Sequence, residues 1–321
     1  MATPADTVST YDAIGNREDL SNMIYDISPT QTPFISGISR ESATATNHEW
    51  QTDSLATAVS TNAVIEGEDA TTTAATPTVR LGNYTQISDK VPRVTRTQRQ
   101  VDSAGRGDEL DFQIMKSAKE LKRDMETALL ANKAKVVGSE AVARELAGIE
   151  SWLATNTDLG ATGTAPTGDG TDARGAGTSR NFTQTQLDGV LSDIWDEGGE
   201  PDTIMVGSKI KQQLSGLVNG GAAGAAQRTV DGNASTVNTA IDIYVSDFGS
   251  LAVVPNRFMV QDSMLVLQMD MWGMATLADF QETPLAKTGD SDRVQLLSEY
   301  TLVAKNEKSS GIVADLNLVA V

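Results

Sequence analysis

The chain has 321 residues, 39% hydrophobic and 21% charged; this is enough apolar matter to bury a core, which excludes wholesale disorder, and the length exceeds one comfortable core, so two lobes or one lobe with long extensions are expected. There is no cysteine and a single histidine, His48, so disulfides, thiolate metal sites, His-rich zinc sites and a cysteine nucleophile are excluded, and any Ser-His-Asp triad has to use His48. Forty-three acids against 25 bases leave a net charge of −18, which disfavours nucleic acid and anionic membranes over most of the surface.

The start, MATPADTVSTYDAIG, has neither the basic nor the apolar region of a signal peptide, so synthesis in the cytoplasm is expected and the sequons at Asn83, Asn181 and Asn233 read as chance matches. Residues 1–45 read as an arm: a short helix over Asp19 to Ile27, broken by Pro29 and Pro33, then the apolar patch Phe34, Ile35 and Ile38. Residues 46–90 read as a long hairpin, HEWQTDSLATAV out and VRLGNYTQISDKV back, with an acidic and then Thr/Ala-rich tip projecting into solvent.

Residues 1–90 hold 12 acids and 4 bases, 91–135 hold 7 and 10, and 136–321 hold 24 and 11. One basic segment therefore lies inside an acidic chain. Within it, Leu110, Ile114, Ala118, Leu121, Met125 and Leu129 recur at helical spacing after the N-cap Asp108. This predicts a helix over 108–133, about 40 Å long at 1.5 Å per residue, with Lys116, Lys119 and Arg123 on the opposite side. Residues 140–255 read as mixed α/β: helices near 139–153, around 182–198 and from Lys209, strands at DTIMVGS and IDIYVSDFGSLAVV, and two ornamented loops. Residues 256–321 read as strands, with a turn at Lys287 to Asp290.

Catalytic constellations are lacking: no G-x-S-x-G, Walker A, H-E-x-x-H or Rossmann glycine fingerprint is present. His48 reads as a strand residue beside Glu49 and Trp50. Asp169-Gly170-Thr171-Asp172 lacks the ligand spacing of a calcium loop, and carboxylate pairs such as Asp290/Asp292 are frequent by chance in so acidic a chain. No catalytic, cofactor or metal site is assigned. The basic segment has three readings: a nucleic-acid site, weakened by seven acids and the single aromatic Phe112; a solvated helix face; or a landing surface for the acidic hairpin tip.

The stretches DLSNMIYDISPTQTPFISGI, YTQISDKVPRVTRTQRQVDSAGRGDELDFQIMKSAKELKRDMETALL and LAKTGDSDRVQLLSEYTLVAKNEKSSGIVADL resemble the tailed-bacteriophage major capsid proteins of the Hong Kong 97 type, and the order of elements agrees over nearly the whole chain. The resemblance implies an α+β fold with an N-terminal arm (1–45), an extended hairpin loop (46–88), a peripheral domain (89–139) with a spine helix, an α/β axial domain (140–255) and C-terminal strands returning to the peripheral domain (256–321). It implies no enzyme but a virion shell subunit, made in the bacterial cytoplasm. Its partners are then itself in pentamers and hexamers, a separate scaffold, a cement protein, a portal and non-specifically held double-stranded DNA, with no membrane. The family's namesake joins a loop lysine covalently to a neighbour's asparagine; here the first lysine is Lys90, beyond the loop tip, so no such cross-link is expected.

From the residues, the tip acids Glu66, Glu68 and Asp69 are expected to dock on Arg93, Arg96, Arg99 and Arg106 of a neighbour. An encapsulin-type nanocompartment shell is the alternative within the fold. A secreted calcium-dependent adhesin or hydrolase is the alternative of another class.

Overall fold

The computed structural model describes residues 30–70, 72, 77–101, 105, 107–220 and 242–318. The helix expected over Asp19 to Ile27, residues 221–241 of the expected second loop and Arg106 lie outside the described residues.

The chain enters through a five-residue helix, α1 (Pro33–Gly37), with proline in its first turn and Phe34 and Ile35 buried. Strand β1 (Ser39–Ser42) follows. Then β2 (Asn47–Thr52) and β3 (Val79–Tyr84) pair antiparallel, Asn47 opposite Tyr84 and Thr52 opposite Val79. Strands β4 (Gln86–Lys90) and β5 (Arg93–Thr95) lead into the short helix α2 (Arg96–Gln100) and the long α3 (Glu109–Leu129). Asp108 caps α3 through the amide of Leu110 at 2.8 Å.

Helix α3 stops at Leu129, four residues before the end predicted from the spacing. Leu129 and Leu130 are both fully buried, and the next backbone groups find tertiary partners: Lys135 N–H bonds Gly170 O, and Gly148 N–H bonds Lys133 O. These bonds replace the helical ones. The helix predicted near 139–153 is likewise only a single 3₁₀ turn at Ile149–Ser151. Leu146, Ala147, Ile149, Glu150, Ser151, Trp152 and Leu153 are all buried; a surface helix hides one face, whereas this segment is enclosed on every side. A Cβ on Gly148 would sit 1.9 Å from Ala131 O, so only glycine fits there.

The second half contributes β6 (Thr157–Asp158), α4 (Gln184–Asp196), β7 (Thr203–Val206), α5 (Ser208–Gly220), β8 (Ile243–Ser246), β9 (Gly249–Pro255), β10 (Met264–Leu267), β11 (Trp272–Pro284), β12 (Ser291–Ala304) and β13 (Gly311–Val313). Helix α4 opens on a capping box between Thr183 and Gln186. Three sheets result. One runs β1-β11-β12-β4 with β5 also on β12, one runs β6-β13-β10-β7-β9-β8, and β2-β3 stands as a pair.

The strands of 256–321 do not return together. The β11–β12 hairpin joins the first sheet, whereas β10 and β13 lie inside the second, beside β7 and β6. Met264, Leu265, Val266, Leu267, Ile312 and Val313 are buried to 0%, and such doubly covered strands belong in the centre of a sheet. The boundary expected at 256 is therefore corrected by the pairing. Helix α3 covers one face of the first sheet, with Leu110 and Leu121 against Val94, Val294 and Leu296.

The Gly/Thr-rich run 154–181 is not the surface excursion its composition suggests. Arg174 in this run is 5% exposed and joins buried Glu150 (3.0 Å) to buried Asp315 (2.9 Å). Asp315 also accepts the amides of Gly160 and Gly177. Burial pushes the Glu150 carboxyl up. For Asp315 burial also acts upward, but the two amides and Arg174 outweigh it and hold the group below the ordinary range.

Candidate functional site

The candidate site is the hairpin β2–β3, the loop it carries and the charged cluster at the far end of the first sheet. The hairpin root is fixed by a buried amide. Asn83 is fully buried; its Nδ2 donates to Leu302 O (2.9 Å) and Ala147 O (3.3 Å), and its Oδ1 accepts from Ala147 N (2.9 Å). The asparagine that reads as a chance sequon is thus the pin between hairpin and body. Lys135 adds bonds to Gly82 O (2.7 Å) and Asp169 O (2.8 Å), and burial pushes its ammonium down. Lys133 reaches Gln86 Oε1 at 2.9 Å. Arg144 bonds Thr85 O at 2.7 Å and pairs with Glu299. Trp50 lies 5.3 Å, centroid to centroid, from the buried Trp152 and 6.1 Å from His48. His48 is a strand residue, as expected.

Beyond Thr52 the support ends. Every described residue from Asp53 to Thr78 is exposed, including the apolar Leu55 (99%), Val59 (71%), Val64 (82%) and Ile65 (76%). Near the tip, the Glu68 amide donates to Ile65 O (3.1 Å) and Glu68 Oε2 accepts from Ile65 N (3.3 Å). Gly67 takes φ +83° inside this turn. The turn holds Glu66, Glu68 and Asp69 at the surface.

The expected arginines do gather, but around acids of their own chain. Arg96 pairs with Asp290 at 2.8 Å, Arg99 with Asp108 and with Asp292 (2.7 Å), and Arg93 donates to Ser291 Oγ at 2.8 Å. Lys287 completes the cluster on Asp292. Hydrogen bonds from Lys287 and then Arg99 hold the Asp292 carboxyl below its usual range, and the Arg99 bond does the same to Asp108. Asp290 and Asp292 are the residues that spacing alone dismissed. They oppose these arginines because β5 pairs with β12 in the register Thr95 opposite Ser291 and Arg93 opposite Arg293. Of the expected set, Glu66, Glu68 and Asp69 lie apart from Arg93, Arg96 and Arg99 within one chain: no ion pair joins them among the described residues.

Lys90 also has a partner, Asp124 of α3, at 2.7 Å, and that bond raises its pKa. The Asp169 loop is closed on itself, its Oδ1 accepting from Thr171 N (2.8 Å) and Thr167 Oγ1 (2.9 Å). Among the described residues no three potential ligands gather as a metal site, and no helix is long and apolar enough to cross a membrane.

Comparison with known proteins is consistent over the chain's length. The family described as SU10 major capsid protein matches residues 6–317. A major capsid protein of Escherichia phage Phieco32 is 28% identical over 345 residues, covering 98% of this chain and 97% of that protein. Among solved structures, the cyanophage A-1(L) capsid asymmetric unit superposes with a TM-score of 0.64 at 13% identity, over 96% of this chain and 98% of that one. A chain from Mycobacterium phage Adephagia gives 0.62 at 10% identity, over 99% and 100%. At such identities the likeness is one of fold, the Hong Kong 97 type.

Proposed function

Because the chain belongs to the SU10 major capsid protein family and builds the shell of a tailed-phage head, we propose that neighbouring copies are held by the 53–78 loop, which leaves its own subunit and lies on the next. The observation that carries this is the contrast between a root locked by Asn83 and a loop whose described residues are all exposed, four of them large and apolar. Apolar surface in that state is a site of association.

Magnitudes decide which part of the loop binds. Burying a Val, Leu or Ile side chain contributes about 1.5–3 kcal/mol, whereas an exposed ion pair contributes about 0–1 kcal/mol. Leu55, Val59, Val64 and Ile65 therefore supply most of the affinity. Glu66, Glu68 and Asp69 set register on the neighbour's arginine cluster, where Arg96 (72%) and Lys287 (66%) keep most of their side chains exposed. In this reading the tip acids add to a mixed-charge network instead of meeting bare arginines.

The copies close into pentamers and hexamers around double-stranded DNA. A separate scaffold directs assembly in the bacterial cytoplasm, and the shell joins a portal and takes a cement protein after assembly. Negative-stain microscopy of cells expressing the chain with its scaffold tests this. Closed icosahedral particles are expected, and aberrant or absent particles for Glu66→Lys/Glu68→Lys/Asp69→Lys. Normal particles from that triple variant refute the role of the tip. Particles packed with a protein cargo instead of DNA would favour the nanocompartment.

A further inference from the structure

The exposed apolar side chains of the loop call for a counterpart of the same character, and the body of the protein offers a concave one. Residues 136–145 fold back on themselves. Val136 and Glu145 exchange both backbone bonds (3.0 and 3.1 Å), and Ser139 and Val142 do the same (2.9 and 3.3 Å). Arg144 ties this fold-back to the hairpin root through Thr85 O and to β12 through Glu299. Between it and β4 lies a groove of about 410 Å³, lined chiefly by Ile87, Val137, Ser139, Val142 and Arg144. Ile87 (53%), Val137 (64%) and Val142 (54%) are exposed there. One such residue is ordinary on a surface, but three lining one concavity form a site of association.

Charge and size select the occupant. Arg144 is the one charged residue of the lining, and Glu299 already neutralises it. The loop segment from Ser54 to Ile65 carries no charge, so entering the groove buries no unpaired ion. An apolar cavity of about 150 Å³ already takes up benzene, so the groove has room for about two or three aliphatic side chains. In an extended segment Leu55 and Val59 point to the same side, with Thr57 between them.

The other apolar gathering suits the loop less well. Trp195 and Phe248, 5.6 Å apart between ring centres, stand with Ile243 and Val245 at the edge of the second sheet. Exposed Asp196, Asp242 and Asp247 are their immediate neighbours in sequence, and these acids would repel Glu66, Glu68 and Asp69 of the loop. A loop and a groove at different places on one chain make a heterologous contact, which closes into rings when copies are related by rotation.

We propose that this groove receives the loop of the adjacent copy, with Leu55 and Val59 filling the space between Ile87, Val137 and Val142. The assignment rests on the reading of the loop as leaving its own subunit, and adds where it lands. It is compatible with tip acids on the arginine cluster. Ile87 stands opposite Glu299 and Val94 opposite Asp292, which puts groove and cluster roughly 23 Å apart along β12. The eleven residues from Leu55 to Glu66 reach up to about 36 Å.

The chain has no cysteine, so single introduced thiols report position. Copies carrying Val59→Cys and copies carrying Val142→Cys are assembled together with the scaffold and treated with a short bismaleimide. Covalent dimers of one copy of each are expected in particles and not in the dilute free chain, with about tenfold fewer when Val245→Cys replaces Val142→Cys. Val142→Asp should raise the concentration at which assembly begins about tenfold or more, with the thermal midpoint of the free chain unchanged. If no dimers form through Val142→Cys in particles whose loop amides are protected from hydrogen exchange, the groove is overturned and the loop reading stands. Unprotected loop amides in the same particles overturn both. Slow labelling of Val142→Cys in the free chain would mean that its own residues already fill the groove, and its protection by added scaffold before particles form would give the groove to the scaffold; either result overturns the proposal.

Discussion

The variant Val64→Ser/Ile65→Ser separates association from folding. In the free chain these side chains are 82% and 76% exposed, so their removal costs the monomer little, within about 0.5 kcal/mol. On a neighbour each is worth about 1.5–3 kcal/mol if fully covered. With half of that realised after ordering costs, the pair contributes about 2 kcal/mol per contact, roughly a 30-fold change in association. Sedimentation velocity across a concentration series should show assembly beginning at least tenfold higher for the variant, with an unchanged thermal midpoint for the unassembled protein. By contrast, Glu66→Gln/Glu68→Gln/Asp69→Gln should shift assembly only a few-fold, and less at high salt. If the serine pair assembles at the same concentration as the unmodified chain, or fails because its monomer unfolds, the apolar account of the loop is wrong.

Three further outcomes follow from the body of the protein. Arg174→Met leaves Glu150 and Asp315 buried without their cation, and chemical denaturation should show a loss of about 3–5 kcal/mol. Burial raises the Glu126 pKa from its ordinary 4.5, so the folded chain binds this proton more tightly than the unfolded one. Its contribution to stability therefore falls as pH rises from 4.5 through the raised folded-state pKa, and Glu126→Gln, relative to the unmodified chain, should gain thermal midpoint as pH rises above 4.5 and level off once the folded carboxyl is ionised; a constant difference contradicts this. Mature particles should run as a single 34.0 kDa band on denaturing gels. No lysine lies in the loop, and Lys90 is held by Asp124, so a ladder of covalent oligomers contradicts the account.

The fold was legible in the sequence where one face of an element is buried. The α3 stripe from Leu110 to Leu129 with its Asp108 cap, and the helix expected around 182–198, follow from capping and periodicity. Legibility failed where tertiary bonds override local preference. Residues 139–153 look helical, but Asn83 and the close approach at Gly148 draw them into irregular backbone. Nothing in Asn83-Tyr84-Thr85 or in the Gly/Thr run around Arg174 announces a buried polar pin, because its partners are 64 or more residues away or lie on other segments. The loop was legible from its lack of large side chains after Ile65. The arginines were recognised as a group, but their native acids were not, since the pairing of Arg96 and Arg99 with Asp290 and Asp292 depends on the β5–β12 register.

Amide hydrogen exchange of residues 53–70, in the free chain and in assembled particles, tests the central claim most directly. In the free chain these amides have almost no hydrogen-bonded partners and should exchange within the dead time. In particles, protection of at least a hundredfold around Leu55, Val59, Val64 and Ile65 is expected, with β2 and β3 protected in both. Exchange of the loop in particles as fast as in the free chain would mean that it lies on no neighbour.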